Sequence, residues 1–459
     1  MIVAAAQAFQ LTQINERGRT VSRLVRSGPP DMHMKLAAKL DPRLNPIPAS
    51  NTAPLPTPNP AGQRAAPRTA VRLFLCGDVM LGRGIDQILP HPGQPGLHEP
   101  YVRSATRYVK LAVRATGRIP SPADAAYPWG DALAVLAERA PQVRIVNLET
   151  AVTTSESWWP DKRIHYRMHP ANLASLTWLV RAGTDCCVLA NNHVLDWGHA
   201  GLDETLACLH EAGIRTAGAG RDAQAAAAPA VIELEEESAA GVPPASVQKD
   251  EDAPPPRRLL VYAYGSESAG VPPAWAASAR HNGVNVLPDL SIKTADAVAR
   301  HVTGMRRPGD LVVISLHWGD NWGFHVSRAE QAFAERLIDA GAADVIHGHS
   351  SHHVRAIEVY RGKPVFYGCG DFMNDYEGIP GHAQYRPDLT LMYFPVLDAA
   401  TGLLSGLEAV PMRIRHFRLT HARDEDIAWL HETLAQQGER FGVRVERAGD
   451  AQEVLAWRW

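Results

Sequence analysis

The chain has 459 residues, 45% hydrophobic and 21% charged, enough to bury one large α/β core or two ordinary domains. Its 46 Lys and Arg against 49 Asp and Glu leave it near neutral, without the basic excess of a protein that tracks nucleic-acid phosphates, so no nucleic-acid partner is expected. No apolar run reaches the length of a membrane span, and the start, MIVAAAQAFQLTQ, has neither a basic leader nor a long apolar stretch. The expectation is a cytoplasmic protein with no membrane segment.

Residues 1–69 are rich in Pro, Ala, Asn and Thr and lack apolar periodicity after the first two dozen residues, which predicts a disordered N-terminal tail. Order is expected from Val71. VRLFLCGD reads as a buried strand ending on Asp78, followed by the Gly-rich turn VMLGRG. A helix from Pro128 leads to the strand VRIVNLET, which ends on Asn147 and Glu149. The polar, aromatic loop SESWWPDKRIHYRMHP and the helix ANLASLTWLVRAG come next. The strand DCCVLANNH then ends on Asn192 and His193, and the helix HAGLDETLACLHEAG stops at glycine.

AVIELE and RRLLVYAYG read as strands flanking a Pro- and charge-rich insertion at about 236–256, expected to be disordered. Residues 290–307 are helical in pattern. DLVVISLHWGD is a buried strand ending on His317, and Ser327 is placed to cap the helix after it. ADVIHGHSSHH is a short apolar run that stops on four clustered histidines. A hairpin turning near Arg361-Gly362 runs out at Asp371, two or three further strands follow, and DEDIAWLHETLAQQGERFG closes the chain as a helix. This predicts an α/β domain over 70–420 and a C-terminal helix and tail over 421–459. The five cysteines follow no zinc or disulfide spacing and read as small buried hydrophobes.

Five apolar runs thus end on Asp78, Asn147/Glu149, Asn192/His193, His317 and His349/His352. Ligands of α/β sheets bind at the carboxyl ends of strands. Carboxylate, amide and imidazole groups gathered there make an N/O-rich site for Mn, Fe or Zn. Singly, each residue has another reading: Asp78 suits a turn, Glu149 a cap, Asn192 a left-handed position, and His317 beside Trp318 a core histidine. Their conjunction points to a metal site.

At GDVMLGR (77–83), NLET (147–150), LANNHVLDWGHAGLDETL (189–206), LHWGD (316–320), GHSSH (348–352) and VFYGCGDFMND (365–375) the sequence resembles the CapA-like poly-gamma-glutamate capsule synthesis family. That family is similar to the calcineurin-like metallophosphatases. The resemblance implies a four-layer α/β/β/α sandwich over about residues 71–375. It implies Asp78, Glu149 (in the bridging position), Asn192, His317, His349 and His352 as ligands of one or two divalent transition metal ions. It implies His193 as proton donor. Asp196, three residues later in the chain, is placed either to orient that imidazole or to cap the following helix.

The sequence departs from the metallophosphatase pattern in four places. Met80 stands where Asp-x-His has its histidine, which leaves one metal position a ligand short. Glu149 replaces the bridging aspartate. GHxH is lengthened to GHSSH, and the usual Gly-Asn is Gly370-Asp371, which adds a carboxylate near the site.

A metal with a placed histidine activates water and holds charged oxygens. The expected function is a metal-dependent hydrolase of a phosphoester or of an amide-linked anionic polymer such as poly-gamma-glutamate. Arg83 and Arg167, with Arg163, are candidate grips for an anionic substrate. The alternative is a non-catalytic capsule or polyglutamate assembly or export factor that binds an anionic polymer. A ligase or transferase subunit is disfavoured, since no G-x-x-x-x-G-K-[ST] motif is present.

Overall fold

A computed structural model describes residues 70–160, 162–234 and 257–459. The expected N-terminal tail, 1–69, and the insertion at 236–256 lie outside the described residues.

The strand Ala70–Val79 is buried at every position from Leu73 onward, as a continuous apolar run between two covered faces requires. It pairs in parallel with Val143–Leu148, which carries Cys186–Val188 and then Arg215–Ala217, also parallel. On its other side runs antiparallel Leu389–Asp398, followed by Leu404–Ile414, Val454–Arg458 and Arg444–Ala448. With Asp371–Met373 and Leu419–His421 paired off this path, the sheet has ten strands.

A second sheet of seven strands is built around Arg258–Ser266, Leu311–His317 and Val345–His349, which are mutually parallel neighbours. Its side chains alternate between two surroundings, the period-2 signature of a strand. Val261, Val313 and Val345 join one core cluster with Leu75 and Ile145 of the ten-stranded sheet. Leu260, Val312, Ile314 and Ile346 instead meet Val302, Phe333 and Leu337 on the helices Ile292–Met305 and Arg328–Asp339. The cap on the second helix is the expected one: Ser327 Oγ accepts from the Glu330 amide at 3.1 Å, and Glu330 answers on the Ser327 amide at 2.8 Å.

The strands Ala230–Glu233 and Arg258–Ser266 pair antiparallel, Glu233 opposite Arg258, so the chain on either side of the insertion forms one hairpin. Ile357–Tyr360 and Lys363–Phe366 form the second expected hairpin.

Three features differ from the sequence reading. The run DCCVLANNH yields only Cys186–Val188 as strand. The polar side chains that follow leave the ladder to build a turn: Asn191 Oδ1 accepts from the His193 and Val194 amides, and its Nδ2 donates to the Leu148 carbonyl at 2.9 Å. A helix, Thr106–Thr116, occupies a stretch for which no element was expected. Residues 444–458 are two antiparallel strands rather than a tail, and Val454–Arg458 pairs with Leu404–Ile414 and buries Trp457.

Candidate metal centre

The five expected strand ends come from two sheets, not one. Asp78 lies next to the end of a strand of the ten-stranded sheet, Glu149 and Asn192 follow two others, and His317 and His349 end neighbours in the seven-stranded one. The carboxyl ends of both sheets meet at these residues.

Asp78 is fixed by close backbone approach and by amides. A Cβ on Gly77 would lie 1.6 Å from the Gly370 carbonyl oxygen, so only glycine lets the two segments touch there. The Asp78 amide donates to that carbonyl at 2.9 Å. Asn147 Nδ2 donates to Asp78 Oδ1 at 2.7 Å, and Asn191 donates to Asn147 Oδ1 at 3.0 Å. Asn147 is therefore a holder of Asp78.

His317 and His349 lie opposite each other in register, with Nδ1 atoms 2.8 Å apart. His349 Nδ1 is 3.8 Å from Asp78 Oδ1. A relay sets the tautomer of His349. His347 Nε2 donates to the Cys76 carbonyl at 2.8 Å, its Nδ1 accepts from Ser315 Oγ, and Ser315 Oγ accepts from His349 Nε2 at 2.8 Å. The carbonyl can only accept, so the chain of donors leaves His349 Nδ1 as a lone pair facing Asp78. His347 is buried behind the site as the anchor of this relay.

Glu149 Oε1 is 3.8 Å from His317 Nε2 and 3.9 Å from His193 Nε2. Asn192 Oδ1 is 3.2 Å from His317 Nε2. His352 Nδ1 is 2.9 Å from Asp371 Oδ1. Between His349 and His352, Ser350 holds φ at +99°, a strained value that lets its amide reach Asp78 Oδ2 at 3.2 Å. Donor atoms of Asp78, His317 and His349 lie within 4.8 Å of one another, and so do those of Asp78, His352 and Asp371. The carboxylate common to both groups is Asp78, where the sequence reading gave the bridging position to Glu149.

The donor set fits a divalent cation. Glu149 Oε2 is buried and has no hydrogen-bond partner among the described residues, a costly state for a carboxylate oxygen unless a cation faces it. Burial, and then Asp371, push the Asp78 carboxyl up to about 7, and burial followed by Asp78 raises Glu149. Burial holds His317 and His349 well below the ordinary imidazole value, so both keep lone pairs for ligation. A cation among these carboxylates offsets their repulsion.

Beside this centre His193 and Asp196 come together as expected. His193 Nδ1 is 2.6 Å from Asp196 Oδ2, which leaves Nε2 toward Glu149. Lys162 Nζ lies 2.9 Å from the same Nδ1 and also contacts Asp196 Oδ1 and the Asn192 carbonyl. The two contacts at Nδ1 compete. We assign its proton to the shorter one, toward Asp196, because a carboxylate accepts and an ammonium cannot. Lys162 then donates to Asp196 and to the Asn192 carbonyl.

The arginines do not form the expected substrate grip. Arg83 is buried between the Tyr108 and Tyr166 rings. Its Nε donates to Asp375 at 2.9 Å, and its two terminal nitrogens reach Asp375 and Glu99. Arg167 is buried over the Trp197 ring and donates to the Ser155 and Gln94 carbonyls. Both guanidiniums are engaged inside the protein, because desolvating them demands internal acceptors. Arg163 is exposed on the same loop.

Comparison with known proteins bears on this geometry. The model of the family described as "Bacterial capsule synthesis protein PGA_cap" matches residues 72–376, a span that holds every ligand candidate. The chain belongs to the PGA_cap family. Among its relatives is the "Probable polyglutamine synthesis accessory protein" of Mycobacterium tuberculosis, 47% identical over 82% of this chain and 93% of the relative. The "Capsule biosynthesis protein CapA" of Bacillus anthracis is 25% identical over 75% of this chain and 67% of that one. A phosphatase structure from Mycoplasma pneumoniae covers 78% of this chain and 96% of its own at 10% identity, with a TM-score of 0.34, too remote to bear on the argument.

Within this PGA_cap segment, sequence reasoning missed Lys162 and the His347–Ser315 relay. Lys162 sits in a polar loop with no periodicity to mark it. Ser315 lies inside an apolar run, and a polar residue in a fully buried strand was the available signal.

Proposed function

We propose that this PGA_cap protein is a metal-dependent hydrolase acting on a phosphoester or on an amide-linked anionic polymer such as poly-gamma-glutamate. The observation that carries the reading is the juxtaposition of a partnerless buried carboxylate oxygen, Glu149 Oε2, with a His193–Asp196 pair whose free nitrogen faces that carboxylate. Asp78, Glu149, Asn192, His317, His349 and His352 are the residues to hold Mn, Fe or Zn, as one or two ions. A bound divalent cation supplies Lewis acidity and a water of lowered pKa. Burial and then Lys162 hold His193 well below the ordinary imidazole value, so with its proton on Nδ1 the ring presents a lone pair at Nε2; that nitrogen takes a proton from the attacking water and passes it to the leaving oxygen or nitrogen, Asp196 keeps the ring oriented, and Lys162 fixes Asp196. The alternation of side chains in the seven-stranded sheet, one face to the other sheet and one to helices, supports a four-layer α/β/β/α arrangement.

The second reading, a non-catalytic factor for polyglutamate or capsule assembly, draws on the word "accessory" in the relative's name and on the internal engagement of Arg83 and Arg167. Among the described residues no helix is long and apolar enough to cross a membrane. The deciding experiment assays the chelated and metal-reloaded protein on p-nitrophenyl phosphate, bis-p-nitrophenyl phosphate and poly-gamma-glutamate. The hydrolase reading expects turnover of one of these that is lost on chelation and restored by metal. Binding of poly-gamma-glutamate with no turnover of any of them contradicts it and favours the second reading.

A further inference from the structure

We propose that Tyr376 is a catalytic residue of this protein, its hydroxyl donating a hydrogen bond to the substrate oxygen on which negative charge develops. The inference rests on the hydrolase reading above and adds to it a side chain that is neither a ligand candidate nor part of the His193–Asp196 pair.

Tyr376 follows the strand Asp371–Met373 and is half-buried, so its ring is packed on one side and reachable on the other. The ring meets the His352 ring edge-on, with centroids 5.4 Å apart. The hydroxyl stands within electrostatic reach of Asp371 and Glu149. Tyr166 links this corner to His193: its hydroxyl neighbours that of Tyr376, and its ring meets the His193 ring edge-on at 4.7 Å. Tyr376 and His193 therefore stand on either side of Tyr166, at the border of one centre.

The proton of the Tyr376 hydroxyl is poorly used. Among the described residues, the acceptor within its reach is the Met80 thioether, with Sδ 3.9 Å from Oη. A thioether accepts only weakly, and a phenol at neutral pH keeps its proton to donate. Met80 stands where the metallophosphatase pattern has a histidine, so this corner lacks the polar side chain that would engage the phenol. A substrate oxygen that carries negative charge is a far better acceptor than sulfur. Exchanging one for the other gains a charge-assisted hydrogen bond and gives up little.

The donor is also held in place. Asp375, the residue before it, accepts from Arg83 Nε and from the Gly84 amide, both at 2.9 Å. Glu377, the residue after it, accepts from the His416 amide at 2.8 Å and the Phe417 amide at 2.6 Å. The Tyr376 amide itself donates to Asn374 Oδ1 at 3.1 Å. A donor fixed before substrate arrives needs no reorganisation as charge develops, which is the condition for favouring the transition state. No proton leaves Tyr376 in this role: the O–H bond persists, and proton transfer belongs to His193.

The rival account has the ring only pack against His352. Tyr376→Phe separates the two, because it removes one oxygen and keeps the ring. The Mn²⁺-reloaded wild type and variant are assayed on whichever of p-nitrophenyl phosphate, bis-p-nitrophenyl phosphate and poly-gamma-glutamate the wild type turns over. Elemental analysis gives the Mn²⁺ content, and circular dichroism checks the fold. The expected result is a loss of about a hundredfold in kcat, with KM changed less than about threefold and Mn²⁺ content and fold unchanged. A variant with kcat within about threefold of wild type overturns the inference and leaves the hydrolase reading standing. So does a variant that loses Mn²⁺ along with turnover, since the phenol would then serve the cation rather than the substrate. A metal-loaded wild type that turns over none of the three substrates overturns the hydrolase reading and this role with it.

Discussion

His193 illustrates what a single residue decides. Its Nδ1 is committed to Asp196, so only Nε2, 3.9 Å from Glu149, can serve a reacting group. His193→Ala is expected to keep its metal and lose at least about a hundredfold in kcat, the usual share of a general acid. Lys162→Met, which frees Asp196 from its ammonium partner, is expected to lower kcat roughly tenfold with metal content unchanged. Full turnover in the metal-loaded His193 variant would remove the acid role, and full turnover in the Lys162 variant would make that lysine a packing residue. The His193–Asp196 pair was legible in the sequence because a three-residue spacing within one turn brings two groups together. Lys162 was not, since its partners are 30 to 34 residues away and only the folded loop delivers it. Arg83 and Arg167 misled for the opposite reason. An arginine beside a motif suggests a substrate grip, but burial decides what it binds, and burial is set by residues such as Asp375 that lie far along the chain.

At the scale of elements, the apolar runs that end near Asp78, Glu149, His317 and His349 were read correctly because a doubly covered strand needs an uninterrupted apolar stretch, whereas the run toward Asn192 leaves the ladder after Val188. The strands after the last helix were missed. RVERA and VLAWR are short, and their place in the sheet comes from pairing with Leu404–Ile414, a contact far off in sequence. That last helix, Asp424–Gly438, is tied down by Asp426, whose carboxylate takes Arg386 at 2.5 Å, Arg413 at 3.3 Å and the Arg423 amide at 3.2 Å. Burial raises the Asp426 carboxyl, but the Arg386 hydrogen bond, the Arg423 amide and Arg413 more than offset it and hold the group below the ordinary range. A depressed folded-state value gives stabilisation that is present above the unfolded value and lost as pH falls through the folded one. Asp426→Asn should therefore cost about 1–2 kcal/mol at neutral pH, and the difference from wild type should shrink below pH ~4. Urea unfolding at pH 7 and pH 3 measures both; an equal difference at the two values would contradict the assignment.

For the whole molecule, the two sheets share one core, and the described residues fold as one unit around it. Trp457 is buried against that core two residues from the end of the chain. Trp457→Ala is expected to cost about 3–5 kcal/mol, whereas removing residues 1–69 should leave the melting temperature nearly unchanged. A truncation that lowers it sharply would move the domain boundary. The histidine-rich strand end, the Asn192-His193 pair and the carboxylates were visible in the sequence as separate signals, but that they come from two sheets was not, because sheet membership depends on pairing rather than on local pattern. The central claim is that the carboxyl ends of these two sheets hold a metal ion between Asp78, His317 and His349. Anomalous diffraction at the metal edge from crystals of the metal-loaded protein tests it most directly. The account predicts a peak at bonding distance, about 2.0–2.2 Å, from imidazole nitrogens of His317 and His349 and a carboxylate oxygen of Asp78; a fully loaded protein whose anomalous peaks all lie elsewhere would contradict it.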